Sequence, residues 1–167
     1  MGEGARTYLF ENLKIKQVSI FDFDELYKRI FSWFEVMGYD FHEKKYEKHE
    51  APGNTNLKIF WEAEKTVDGY TKYVIEINFF VVGISKVEIE KDGLKIKTNK
   101  ADMEIRMSCY HIRDIDDKMK KVVGEAGRKI YEKFIAKRRL EDNEVALYQE
   151  VNLLIDEIKS FVSMHVF

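Results

Sequence analysis

The chain has 167 residues, 45% of them hydrophobic and 14% aromatic, enough for one domain with a real core. Its formal net charge is -2 with 35% charged residues, so no global field draws it to nucleic acid or an anionic bilayer. One cysteine, Cys109, excludes an intramolecular disulfide framework, and no secretory pattern opens the chain, so a cytoplasmic setting is expected.

Taken in chain order, Leu13, Ile15, Val18 and Ile20 predict a first strand whose parity switches at Gln17, as at a bulge. Asp22 stands three residues before Glu25, a capping pair. Behind it Leu26, Tyr27, Ile30, Phe31, Phe34 and Met37 recur at helical spacing until Gly38. That predicts a helix over residues 24–37. Phe41 to His49 is so charged that it reads as an edge strand, closed by a turn at Ala51-Pro52-Gly53-Asn54.

Two hairpins follow. A three-residue loop, Val67-Asp68-Gly69, would set Trp61 opposite Ile75, Ile59 opposite Ile77 and Glu64 opposite Lys72, with Gly69 left-handed. A two-residue turn at Asp92-Gly93 pairs Ile89 with Ile96, Glu88 with Lys97 and Glu90 with Lys95. These registers name Trp61, Ile75, Ile89 and Ile96 as inward. Asn99-Lys100 reads as a further turn. The last strand then carries Met103, Ile105, Met107, Cys109 and His111 on one face.

Met119, Val122, Val123, Ala126, Ile130, Phe134 and Ile135 predict a helix within residues 116–139, kinked near Gly124 and Gly127. Leu147, Val151, Leu154, Ile158, Phe161 and His165 form the stripe of a long terminal helix. With one proline, no linker and no repeat, residues 1–167 form a single α+β domain. Its curved antiparallel meander of about six to seven strands packs against an N-terminal helix and a long C-terminal helix.

This element order resembles the helix-grip arrangement of the START and Bet v 1-like superfamily, in which the sheet curls around the last helix and often encloses an apolar ligand. The segments FDFDELYKRIFSWFEVMGYDFHEKKY and FWEAEKTVDGYTKYVIEI are also similar to a group of uncharacterised archaeal proteins, a likeness that implies no activity.

The chemistry is sparse. His42 and His49 are seven apart on one strand, which puts them on opposite faces unless a bulge intervenes, and no further ligand follows at metal spacing. Cys109 and His111 share a face, but no third group marks a nucleophile pair. Glu62, Glu64 and Glu76 share the opposite face with Lys58 and Lys72, which favours ordinary charge pairs over acid–base work. No catalytic residue, metal site or cofactor is expected.

Two functions stay open. Trp61, Tyr73, Ile75, Met103, Met107 and His111 are either core or the lining of a cavity for a small apolar ligand between sheet and C-terminal helix. Alternatively, the basic helix Lys118–Arg139 has nine Lys/Arg against two acids. Through Arg128, Lys129, Arg138 and Arg139 it would meet a protein or RNA partner. A membrane is not expected as a partner, since the longest apolar run is too short to span one.

Overall fold

The first helix forms where its cap places it. In the computed structural model, which describes residues 4–163, the Asp22 carboxylate accepts the Glu25 N–H at 3.1 Å. Helix α1 (Phe23–Val36) then buries Phe23, Leu26, Ile30 and Phe34, and Gly38 turns the chain out at φ 77°. Strands β1 (Ala5–Phe21), β2 (Asp40–Ala51), β3 (Asn54–Thr66), β4 (Thr71–Lys91) and β5 (Leu94–Arg113) make one antiparallel sheet in the order β1-β5-β4-β3-β2. Helix α2 (Lys118–Phe134) follows a short 3-10 turn, Ile115–Asp117, and α3 (Lys137–Ser163) ends the described chain. His165, expected on the last helix, lies outside the described residues.

The sheet curves without closing, since β1 and β2 remain as free edges, and the arrangement is compatible with a helix-grip-like fold. The six or seven strand segments read from the sequence ride on five continuous strands. The runs around Ile75 and Ile89 are both β4, and those around Ile96 and Ile105 are both β5. Asn99 and Lys100 are therefore not a turn: they pair with Phe21 and Ile20 on one side and with Lys86 and Ser85 on the other. The irregularity falls instead on β4, in a bulge between Val82 and Ser85 where Gly83 takes φ 71°.

Register decides three more details. In β1 the ladder is unbroken through Gln17, because Ile15 pairs with Ile105 and Gln17 with Met103. The irregularities lie between Tyr8 and Leu13, with Asn12 at φ 52°. Between β3 and β4, Trp61 faces Ile77, Ile59 faces Phe79 and Ala63 faces Ile75, two residues away from the expected pairing but with every inward residue still inward. The loop is longer because the Asp68 carboxylate caps it, accepting N–H bonds from Tyr70 at 2.7 Å and Thr71 at 2.8 Å; Gly69 is not left-handed. The Asp92-Gly93 hairpin has the expected register, with both turn residues at positive φ. Of the two residues expected inward, however, Ile96 is exposed and Ile89 only half-buried, in a groove they share with Asp22 and Glu25.

The core lies between the concave face and two helices. Trp61, Ile75, Ile77, Phe79, Ile105 and Met107 are buried there against Leu26, Ile30 and Phe34 of α1 and Leu147, Val151, Leu154, Ile158 and Phe161 of α3. Burying each such side chain contributes about 1.5–3 kcal/mol. Trp61 sits at its centre, with Tyr27, Phe41 and Phe79 rings 4.5–4.8 Å away.

Candidate functional site

The six residues expected to line a ligand cavity all face inward and all are buried: Trp61, Tyr73, Ile75, Met103, Met107 and His111. Their polar atoms are largely spoken for. The Trp61 indole N–H donates to Glu43 Oε2 at 3.1 Å, beside a 2.7 Å bond from the Tyr27 hydroxyl to the same oxygen. Burial and that carboxylate push the Tyr27 hydroxyl up to about 12. The Tyr73 hydroxyl donates to the Asn143 carbonyl at 2.7 Å, and burial, then Glu150, raise it to about 12. Cys109 is buried beside them and its thiol is pushed well up by burial. A nucleophile needs the reverse, a stabilised thiolate.

The second set of expected residues is where the structure departs most from the sequence pattern. An amphipathic helix ordinarily turns its apolar stripe inward. Helix α2 does the opposite. Arg128 is 8% exposed and lies beneath the helix, donating to Glu132 Oε1 at 3.2 Å and also bonding Glu125. Ala126, Ile130 and Phe134, spaced four apart on the other side, are exposed, Ile130 at 59% and Phe134 at 73%. Val122 and Val123 are exposed as well, just before Gly124 breaks the helix at φ 73°.

The cause is a polar knot at the end of the sheet that the sequence pattern hides. Glu132 accepts from the Tyr70 hydroxyl at 2.8 Å and from Arg113 at 3.0 Å, besides Arg128. Arg113 also donates to the Thr7 hydroxyl at 3.0 Å. Asp114, buried and at φ 55°, takes the N–H groups of Met119 at 2.7 Å and Lys120 at 2.9 Å and so caps α2. Burial, followed by Arg113, lowers the pKa of His111 in the same layer. Three charge-assisted bonds converge on one carboxylate on this side of a ten-residue helical segment, and turning the helix over would leave Arg113 and the Tyr70 hydroxyl without it. The signal was present in the sequence only as the i, i+4 pair Arg128–Glu132.

The remaining basic residues divide. Arg128 is not part of a surface. Arg138 and Arg139 belong to α3, not to the basic helix, and Arg139 is held in the chain by Tyr131 at 3.2 Å and by Asp68 at 3.8 Å. Lys129 projects into solvent, with only a loose 3.9 Å pairing to Glu125. Lys133 is exposed too, next to the Phe134 ring. The outer rim of α2 is thus an apolar row flanked by lysines.

Surface grooves lie elsewhere. One of about 430 Å³ is lined by Tyr8, Leu9, Glu141, Glu144, Val145 and Tyr148, between the start of β1 and the first half of α3. Another, about 530 Å³, includes Val18, Phe80, Val82 and Arg106 on the outer sheet face. On that face Glu62 pairs directly across from Glu76, but Lys44 meets Glu62 at 2.9 Å and the Tyr110 hydroxyl meets Glu76 at 3.0 Å. Lys72 meets Glu64 at 2.9 Å, so each carboxylate has its own partner. His42 and His49 do share that face, because β2 bulges between Glu43 and Lys45, yet they pair with Glu62 and Asn56, about 20 Å apart along β3. Among the described residues no group of three His, Cys, Asp or Glu could hold a metal ion, and no helix is long and apolar enough to cross a membrane.

No protein-family model, curated protein or solved structure matches the chain.

Proposed function

We propose that this protein is a non-catalytic interaction module that docks on a protein partner through the outer face of α2. The carrying observation is the inverted helix: Arg128 and Glu132 are turned in, while Ile130 and Phe134 are turned out and, among the described residues, left exposed. An exposed apolar row flanked by Lys129 and Lys133 suits a groove with an apolar floor and acidic rim. RNA would be met by stacked aromatic rings and a continuous basic strip, whereas here Arg128 is buried and the strip is interrupted. The scaffold is then a helix-grip variant of the START and Bet v 1-like kind in which the helix between sheet and terminal helix does the binding. Seating a small apolar ligand under α3 would instead mean displacing side chains such as Trp61 and Ile77, each stabilised by about 1.5–3 kcal/mol of burial.

The test compares immobilised wild-type chain with the double variant Ile130→Asp, Phe134→Asp against proteins from the cells that make it, at low and moderate salt, with nuclease present. Discrete proteins held by the wild type and lost by a folded double variant support the reading. Equal retention by both overturns it, as does retention that vanishes with nuclease, which would indicate nucleic acid.

A further inference from the structure

We infer that the partner seated on α2 is a second copy of this chain, whose groove between β1 and α3 receives the helix; this rests on the reading of α2 as a docking element. That groove carries what the helix lacks. Its walls are apolar, with Tyr8, Val145 and Tyr148 all exposed beside Leu9, and its rim holds Glu144 and Glu141, the latter in a loose, exposed 3.8 Å pairing with Lys137 that a partner lysine can replace. The helix offers Ile130 and Phe134 for the walls and Lys129 and Lys133 for the rim. The two lysines are about 6 Å apart along the helix axis and the two glutamates about 4.5 Å, so each lysine can face one carboxylate.

The helix does not occupy the groove of its own chain, since Ile130 and Phe134 stay exposed. Among the described residues, each chain therefore brings one uncovered helix face and one uncovered groove. A two-fold axis would satisfy both pairs at once and double the area covered, which is the ordinary closed solution for identical chains. Net charge does not oppose it, because two copies at -2 each repel weakly at physiological salt.

Charge exchange tests the pairing on the whole chain. One variant carries Lys129→Glu with Lys133→Glu, and the other Glu141→Lys with Glu144→Lys. Sedimentation and light scattering should give the wild type a mass that rises with concentration from 19.9 kDa toward double that value. Each variant alone should remain at the single-chain mass. Their equimolar mixture should recover the doubled mass, because both helix–groove pairs are again of opposite charge. Circular dichroism confirms that the variants fold. A wild type that stays single at every concentration overturns the inference, as does a mixture that fails to associate. Either result leaves the docking reading standing if the Ile130→Asp, Phe134→Asp variant still loses its retained proteins, so the two failures are distinguishable.

Discussion

Arg128 and Glu132, one turn apart on α2, pair at 3.2 Å on the side of the helix that faces the sheet. The pair is nearly buried, and Arg113 of β5 meets the second Glu132 oxygen at 3.0 Å. It orients the helix, and everything proposed about its outer face follows from that orientation.

Replacing Glu132 with alanine should therefore be costly. It leaves two guanidinium groups without their shared carboxylate and the Tyr70 hydroxyl without its acceptor. A loss of about 3–5 kcal/mol is expected from breaking a buried ion network on one side. Urea unfolding should show this, with Glu125→Ala, whose carboxylate bonds Arg128 from an exposed position, changing stability far less.

Ile130→Asp and Phe134→Asp should each change the stability of the isolated chain by no more than about 0.5 kcal/mol, as exposed substitutions do. Had the apolar stripe of α2 faced inward, each would cost several kcal/mol. The same urea titration decides between them.

Ile77→Ala should destabilise by about 2–5 kcal/mol, since Ile77 is fully buried opposite Trp61. Trp61→Phe should cost about 1–3 kcal/mol, part of it from the lost N–H bond to Glu43. A double variant that combines Trp61→Phe with Glu43→Ala should cost less than the sum of the two singles, because the bond can be lost only once.

His111 is lowered in the folded chain by burial and by Arg113, so the unfolded chain takes its proton at a higher pH than the folded one. Its contribution to stability is complete above the unfolded value of about 6.5, begins to be lost as pH falls below it, and is gone once pH has fallen through the lower folded value. Thermal unfolding from pH 8 to about pH 5 should fall more steeply for the wild type than for His111→Gln. Parallel curves would show that His111 does not titrate differently on folding.

The β3–β4 loop depends on the Asp68 cap rather than on a left-handed Gly69. Asp68→Ala should cost about 1–3 kcal/mol by leaving the Tyr70 and Thr71 N–H groups unpaired. Gly69→Ala should be nearly neutral. Gly93→Ala, at φ 77°, should cost about 1–2 kcal/mol.

What could be read from the sequence were features whose cause is local. The Asp22 cap, the helical spacing from Leu26 to Phe34, and the charge matching across Asp92-Gly93 each involve residues a few positions apart, and each stands as expected. The inward set Trp61, Tyr73, Ile75, Met103, Met107 and His111 was legible too, because period two survives a register shift of two residues.

What failed to be legible depended on groups far apart in the chain. The β3–β4 register turns on how one carboxylate caps a loop, which hydrophobic alternation does not encode. The strand count changed because β1 and β4 pair along both sides of β5 through Asn99 and Lys100.

By itself, then, the sequence determined the α+β class, the charged β2 edge and which strand faces look inward, since periodicity and caps are local physics. Only the tertiary structure decided which way α2 faces. The apolar spacing of Ile130 and Phe134 argues for burial, and it is overruled by Arg113 and Tyr70, 19 and 62 residues away from Glu132. Removing a nearly buried carboxylate from its three donors would leave them without that acceptor, and no pattern within the helix could show where those donors would stand.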